Sequence, residues 1–203
     1  MKTLVIVDVQ NDFTSGGSLE VPDGDAIIPL INNIQDRFDL VVATQDWHPP
    51  DHKSFASNHE GREVFDHINH QGMDQILWPD HCVQGSKGAG FHPELETSRI
   101  EAIFRKGTDP EIDSYSGFFD NRHKKKTGMA GYLRDKGAGE LFFCGLAADV
   151  CVYYSIMDAL KEGFQTLLLK DCTRAIDQAE FAKAERDMLD KQARLLNSPD
   201  ILT

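Results

Sequence analysis

Residues suited to cysteine chemistry lie in the segment CGLAADVCV, at positions 144–152. Asp149 could begin a helix there, and the exposed N–H groups of a first helical turn would favour a thiolate at Cys151. The small residues of this segment allow close backbone approach, so the N–H groups of Ala147 and Cys151 are candidate donors to an oxyanion. The simpler interpretation is that Cys151 fills the core, which is the role we expect for Cys144. The segment alone therefore does not decide between nucleophile and core residue.

A second group of residues has the side chains of a metal site. The segment QDWHPPDH places Asp46 and His48 two positions apart, and LWPDHCVQG adds His81. Two histidines and one carboxylate leave positions open for water, which is typical of a catalytic rather than a closed structural site. His52 could join as a ligand or simply line the loop. The alternative is that these are loop histidines that cap backbone groups.

Two further residues would complete a catalytic group. Asp8 follows an apolar segment at the N-terminus and could act as the base that takes the thiol proton. Lys106 follows another apolar segment and could add positive charge beside the sulfur of Cys151. Singly, Asp8 has the simpler interpretation of a turn cap and Lys106 that of an exposed side chain. Their meaning depends on whether the fold brings them together.

The elements that would position these residues alternate between strands and helices. Five short segments, apolar on both faces, predict buried parallel strands: Leu4–Val7, Leu40–Thr44, Ala102–Phe104, Leu141–Cys144 and Thr166–Leu169. Helical spacing of apolar residues follows in three segments: 25–38, from Asp149 to Gly163, and from Gln178 to about Gln192. This alternation predicts a three-layer α/β/α sandwich with a central, mainly parallel sheet, formed as a single domain over residues 1–203.

Such a sheet places the candidate residues at one edge. Ligands of open α/β sheets bind beyond the carboxyl ends of the strands, and these residues follow successive predicted strands: Asp8, Asp46, Lys106 and Cys151. Residues 45–100 and 107–126 show little periodicity, and loops of that length are usually functional.

Composition limits the partners and the compartment. The net charge of −12 argues against sequence-independent binding of nucleic acid, and the basic run Arg122–Lys126 is interpreted as a solvated loop or a helix start. Asp8 interrupts the apolar N-terminal segment, so we expect neither a signal peptide nor a membrane span, and a cytoplasmic protein. The four cysteines are expected to be thiols in that compartment. Oligomeric state stays open, with a homo-oligomer among the alternatives.

Five segments, in order from residue 3 to about residue 176, are similar to the nicotinamidases of the isochorismatase-like cysteine hydrolases: VIVDVQNDF, TQDWHPPDHKSFASNH, WPDHCVQGSKGAGFHP, FRKGTDPEIDSYSGFFDN and GLAADVCV. The resemblance implies a hydrolase that converts nicotinamide to nicotinate and ammonia in NAD salvage, and that also acts on pyrazinamide. It implies a catalytic triad of Asp8, Lys106 and Cys151.

The resemblance also implies a divalent ion, with zinc preferred and iron or manganese as alternatives, held by Asp46, His48 and His81. His52 or Ser54 would supply a fourth ligand in some arrangements. It further implies contacts to the substrate ring and its neighbourhood from Phe13, Trp78, Tyr115 and Leu146.

For the oxyanion, the resemblance implies the backbone N–H groups of Ala147 and Cys151, beside a cis bond between Leu146 and Ala147. Ala148 is a departure, because many relatives have threonine there, and we expect an effect on packing or substrate contact.

Two other functions stay open. One is an amidase or hydrolase of the same fold that acts on a carbamoyl or isochorismate-like substrate. The other is a domain that binds a metal or ligand without catalysis, which would leave Asp8 and Lys106 unexplained.

Overall fold

The computed structural model describes residues 1–202, and Thr203 lies outside the described part. Eight strands are present: β1 (Lys2–Val7), β2 (Leu40–Asp46), β3 (His67–His70), β4 (Met73–Ile76), β5 (Ile100–Lys106), β6 (Glu140–Leu146), β7 (Gln165–Arg174) and β8 (Arg194–Leu196). The α-helices are α1 (Ile28–Ile34), α2 (Met129–Asp135), α3 (Tyr153–Lys161), α4 (Gln178–Asp190) and α5 (Pro199–Leu202).

Six strands form one sheet in the order β5-β2-β1-β6-β7-β8, and every neighbouring pair is parallel. The strands β3 and β4 form a separate antiparallel hairpin. After β1 the chain builds the sheet toward β5, and it then crosses to the other side of β1 to form β6. The strand order therefore reverses between β1 and β6, and the crevice at their carboxyl ends is where ligands bind in this architecture.

Helices cover both faces of the sheet. On one face, Val5 and Val7 of β1 belong to the core that includes residues of α2, α3 and α4. On the other, Leu4 and Ile6 pack in the core that contains Ile31 of α1. Alternate residues of one buried strand thus serve two cores, which is why the strands are apolar without alternation. The predicted three-layer α/β sandwich is confirmed.

The strand predictions are confirmed in position, and each observed strand is longer than predicted. The sequence pattern does not predict β8, because three residues carry too little periodicity, and it does not predict the hairpin β3–β4 within the aperiodic region. Nor does it predict α2, which begins just after the basic run Arg122–Lys126. That run is a loop in the structure.

The first predicted helix is divided into three parts. Gly24–Ile27 and Gln35–Arg37 are short 3-10 helices, and only α1 between them is α-helical. Within residues 1–202, no helix combines the length and the apolar character needed to cross a membrane.

Gly145 tests the contact between the two central strands. It lies in β6 with a φ of +109°, paired with Val7 of β1, and a Cβ there would overlap the carbonyl oxygen of Val7. We expect Gly145→Ala to lower the free energy of unfolding by more than about 2 kcal/mol in urea titrations. Gly131→Ala in α2 is the matched control, since its Cβ would meet no atom within 4 Å. Equal stability of the two variants would contradict the packing described.

Candidate active site

The ends of four strands bring the predicted catalytic residues together. Asp8 directly follows β1 with a φ of 49°, a left-handed conformation that is uncommon outside glycine. Lys106 is the last residue of β5, and its Nζ lies 2.9 Å from Oδ2 of Asp8 and 2.6 Å from Oδ1 of Asp46. The same Nζ lies 3.4 Å from Sγ of Cys151 and donates to the carbonyl oxygen of Ser114 at 3.0 Å. One ammonium group therefore contacts both carboxylates and the thiol.

Burial strengthens the interactions among Lys106, the two carboxylates and the thiol. Lys106 is only 2% exposed and Asp8 is fully buried. Burial favours neutral Lys106, but the carboxylates of Asp46 and Asp8 outweigh it and raise the pKa of Lys106 well above its usual value. Burial acts against ionised Asp46 as well, and there the Lys106 ammonium prevails and lowers its pKa. For Asp8 burial prevails over Lys106 and raises the pKa.

The thiol of Cys151 is protonated in this environment. Burial raises the pKa of Cys151 well above its usual value, and the nearby Lys106 ammonium only partly opposes that effect. The start of a helix would favour the thiolate, but burial outweighs that effect. One carboxylate oxygen each of Asp8 and Asp46 and the sulfur of Cys151 lie within 4.8 Å of one another. Asp8 is thus close enough to accept the thiol proton after small adjustments.

Asp149 has a different role from the one predicted. The turn that carries Cys151 is a π-helix, Ala148–Val152, whose N-cap is Ala147 and has no side-chain cap. The carboxylate of Asp149 instead accepts the backbone N–H groups of Ile176 at 3.0 Å and Asp177 at 2.8 Å. It ties the cysteine turn to the loop before α4.

Asp46, His48 and His81 also converge. One ligand atom from each lies within 4.8 Å of the others, and all three residues are buried. Nδ1 of His48 lies 3.0 Å from the carbonyl oxygen of Gly107, and Nδ1 of His81 lies 2.7 Å from that of Pro79. A carbonyl only accepts, so each Nδ1 carries the proton and each Nε2 has a free lone pair. Both Nε2 atoms face Oδ2 of Asp46, at 3.6 Å and 3.9 Å.

The two histidines differ in charge preference. Burial and the neighbouring His48 lower the pKa of His81 to about 4, so His81 is neutral at neutral pH. Burial also acts to lower the pKa of His48, but the Asp46 carboxylate outweighs it and raises that pKa. A cation would compete with a second proton for Nε2 of His48, whereas Nε2 of His81 is free at neutral pH.

His52 and Ser54 form hydrogen bonds with each other. Nδ1 of His52 accepts the backbone N–H of Ser54 at 3.2 Å and contacts its hydroxyl at 2.7 Å. Burial lowers the pKa of His52 to about 4, so the ring is neutral and its proton sits on Nε2. One ligand atom each of His52, His48 and Asp113 lie within 4.8 Å of one another, and His52 is not part of the set formed by Asp46, His48 and His81.

A narrow cavity opens above Cys151. It is lined by Asp46, His81 and Cys151 together with aromatic and apolar residues: Phe13, Leu19, Trp78, Tyr115, Ala147, Val150 and Ile176, and by Asp113. The Nε1–H of Trp78 donates to the hydroxyl of Tyr115 at 3.3 Å. The thiol, two of the three candidate metal ligands (Asp46 and His81) and the aromatic rings therefore face one space.

Two predicted residues lie behind the cavity wall. Leu146 is fully buried in the core, and its side chain points toward Gly24 instead of lining the cavity. Its peptide bond to Ala147 is cis, as the resemblance implied, and Ala147 does line the cavity. Ala148 is fully buried in the core that includes α2, α3 and α4, so its methyl group contributes to packing.

Several residues that support the site have no clear signal in the sequence pattern. Thr44 donates its hydroxyl to Asp8 at 2.6 Å, and Gln10 binds the backbone N–H of Asp46 at 2.8 Å. Asp12 accepts the backbone N–H of Cys82 at 2.7 Å, which fixes the segment next to His81. Gln10 and Asp12 follow Asp8 within the motif VDVQNDF, and that proximity was the available signal.

Comparison with known proteins assigns the chain to a family. The model of the isochorismatase domain matches residues 2–200. The chain belongs to the isochorismatase family. A nicotinamidase of Acinetobacter baylyi is 44% identical over 200 residues, which cover 98% of this chain and 94% of that one.

Solved structures of this family agree with the fold. The nicotinamidase/pyrazinamidase of Acinetobacter baumanii has a TM-score of 0.96 at 43% identity, covering 98% of this chain and 97% of that one. The pyrazinamidase of Pyrococcus horikoshii, in complex with zinc, has a TM-score of 0.80 at 34% identity, and the match covers 97% of this chain and 98% of that one.

Gly107 gives a test of the candidate metal ligands. It has a φ of +64°, and a Cβ there would overlap Cε1 of His48. Because His48 would have to move, we expect Gly107→Ala to weaken Zn²⁺ binding at least about tenfold in a chelator competition titration. Gly128→Ala is the control, since Gly128 has a φ of +94° but a Cβ there meets no atom within 4 Å. Equal Zn²⁺ affinity in both variants would argue against His48 as a ligand.

Proposed function

We propose that this protein is a metal-dependent amidohydrolase that converts nicotinamide to nicotinate and ammonia through a thioester on Cys151. The observation that carries the proposal is the buried Lys106 ammonium, in contact with Asp8, Asp46 and the Cys151 thiol beside a His/His/Asp set. The 44% identity to a nicotinamidase supports the substrate. Pyrazinamide, which shares the ring size and carboxamide of nicotinamide, is a second expected substrate, and NAD salvage is the expected context.

Asp46, His48 and His81 fit a divalent ion. Two Nε2 atoms with free lone pairs and one carboxylate oxygen suit zinc, and they are also compatible with iron or manganese. The zinc complex of the Pyrococcus horikoshii relative supports zinc. When bound, the ion supplies a Lewis-acid contact that orients the ring nitrogen of the substrate.

The aromatic side chains of the inner cavity would bind the substrate ring. Phe13 and Trp78 line the cavity and would hold the faces of the pyridine, with Tyr115 beside Trp78. Apolar walls with few polar groups exclude water from the carboxamide and fix its orientation above Cys151.

The first half-reaction forms the thioester. Asp8 takes the thiol proton of Cys151 as the sulfur bonds to the carboxamide carbon, and the oxygen becomes an oxyanion held by the N–H groups of Ala147 and Cys151. The carbon–nitrogen bond then breaks, and Asp8 returns the proton to the departing nitrogen, which leaves as ammonia. Lys106 stays charged throughout, and it stabilises the negative charge on Asp8 or on the sulfur.

The second half-reaction uses one water molecule. Asp8 takes a proton from the water as its oxygen bonds to the thioester carbon, and the carbon–sulfur bond breaks. The sulfur recovers a proton from Asp8, and nicotinic acid leaves. In sum, one nicotinamide and one water give nicotinic acid and ammonia, which at neutral pH become nicotinate and ammonium, and Asp8 and Cys151 return to their starting states.

Two further proposals concern the whole chain. Residues 1–203 form one isochorismatase-like domain, in keeping with a family match that spans residues 2–200. The protein acts in the cytoplasm, in keeping with the free cysteines of residues 1–202 and the nicotinamidase relatives.

Ammonia release from nicotinamide by the purified, metal-loaded protein tests the function. We expect Cys151→Ala to reduce kcat by at least about a thousandfold, since the nucleophile is lost. Cys144→Ala is the matched control: Cys144 is buried in the core, and we expect its substitution to leave turnover within about threefold of wild type. Comparable ammonia release by Cys151→Ala and wild type would rule out the thioester route. Hydrolysis of a carbamoyl or isochorismate-like substrate in preference to nicotinamide would instead indicate a different hydrolase of this family.

A further inference from the structure

A second cavity lies directly outside the inner one and has no role in the reaction proposed above. Its volume is about 530 Å³. The two cavities adjoin, because four residues line both: Trp78, Tyr115, Val150 and Ile176. A group attached to a ring in the inner cavity would therefore have room to extend outward.

Aromatic rings form one side of this outer cavity. The ring of Phe65 contacts Trp78 edge to face, with 6.0 Å between the ring centroids. The centroids of Trp78 and Tyr115 are 6.2 Å apart, and those of Tyr115 and Tyr154 are 5.4 Å apart. Phe65 is 57% exposed and Tyr154 is 44% exposed, so two of these large rings remain accessible. Aromatic faces attract cations, most strongly when several rings surround one charge.

Phe65 is held toward the cavity by an unusual backbone. Its φ is 71°, a conformation that is disfavoured for a bulky residue, and its N–H donates to the carbonyl oxygen of Leu77 at 2.6 Å. Such conformations persist where the surrounding structure enforces them, and they are enriched at functional sites.

Carboxylates also line the outer cavity. They belong to Asp149, Asp177 and Glu180, and neither lysine nor arginine is among its described lining residues. His67 lines it too, and Nδ1 of His67 lies 2.9 Å from Oδ2 of Asp74. Asp177 caps α4 by accepting the N–H groups of Ala179 and Glu180, so its carboxylate is fixed in place, as is that of Asp149.

Glu180 is the movable member of this group. It is exposed, and its Oε1 lies 2.6 Å from Nζ of Lys183 on the same helix. Exposed pairs of this kind contribute little free energy, so Glu180 can exchange Lys183 for a ligand cation. The outer cavity therefore combines aromatic faces with negative charge.

The proposed orientation of the substrate directs one ring position outward. In that orientation the ring nitrogen would lie at the candidate metal ligands and the carboxamide at Cys151. Asp46, His81 and Cys151 line the inner cavity and do not line the outer one. The carbon between these two ring positions would therefore face away from the outer cavity, and the carbon opposite to it, C5, would face toward it.

From these observations we infer that the enzyme accepts pyridine-3-carboxamides with a positively charged substituent at C5, which the outer cavity binds with its aromatic rings and carboxylates. This inference rests on the proposed function, and it extends the substrate class of the same active site. A neutral substituent gains only the aromatic contact, and an anionic one is repelled by the three carboxylates.

Three matched amides test the inference. They carry 2-aminoethyl, ethyl or 2-carboxyethyl at C5, and at pH 7 these substituents are cationic, neutral and anionic. We expect kcat/KM for ammonia release by wild type to be at least about tenfold higher for the cationic than for the anionic amide. Glu180→Gln should lower this ratio about threefold or more. Asp190→Asn removes a charge from the far end of α4, where Asp190 does not line the cavity, and should leave the ratio unchanged.

Hydrolysis of nicotinamide itself distinguishes a failure of the outer-cavity inference from a failure of the proposed function. If wild type hydrolyses nicotinamide but treats the cationic and anionic amides alike, or hydrolyses neither, the inference about the outer cavity is wrong and the proposed function stands. An unchanged ratio in Glu180→Gln also overturns the inference. If nicotinamide releases no ammonia, the proposed function fails, and the extended substrate class fails with it.

Discussion

A single buried ammonium group organises this molecule. Lys106 is 2% exposed, and removing its charge from water would cost several kcal/mol without partners. Asp8 and Asp46 supply those partners at 2.9 Å and 2.6 Å, and they come from the ends of two other strands. Because the three strands are neighbours in one parallel sheet, the ion cluster forms only when the register of β1, β2 and β5 is correct. Fold and site therefore depend on the same contact.

The same cluster explains how a buried thiol can react. Burial raises the pKa of both Asp8 and Cys151, and the Lys106 ammonium opposes that rise at both groups. Moving a proton from the sulfur to Asp8 keeps one negative charge beside Lys106, and the ammonium contacts both positions. The proton transfer thus exchanges one stabilised anion for another. On its other side, Asp46 links the cluster to His48 and His81, so the charge that stabilises the nucleophile also holds the candidate metal ligand in place.

Sequence alone predicted the features that have strong local patterns. Buried strands and the residues at their ends were identifiable, and Asp8, Lys106 and Cys151 do converge at one edge of the sheet. Features that depend on tertiary contacts could not be predicted from the sequence. The carboxylate of Asp149 binds the loop before α4 instead of capping a helix, and Leu146 is buried in the core and does not line the inner cavity. The short strand β8 and the hairpin β3–β4 have too few residues for a periodic pattern. The raised pKa of Cys151 comes from burial, which a sequence motif does not report.

The covalent intermediate provides the most direct test of Cys151 as the nucleophile. Wild-type enzyme in steady-state turnover of nicotinamide is quenched in acid, digested and analysed by mass spectrometry. A thioester mechanism predicts a nicotinoyl group on the peptide that contains Cys151, and none on the peptides of Cys82 or Cys172. Turnover with an unmodified Cys151 peptide at every quench time, under conditions where a synthetic thioester survives, would contradict it and would indicate direct attack by water.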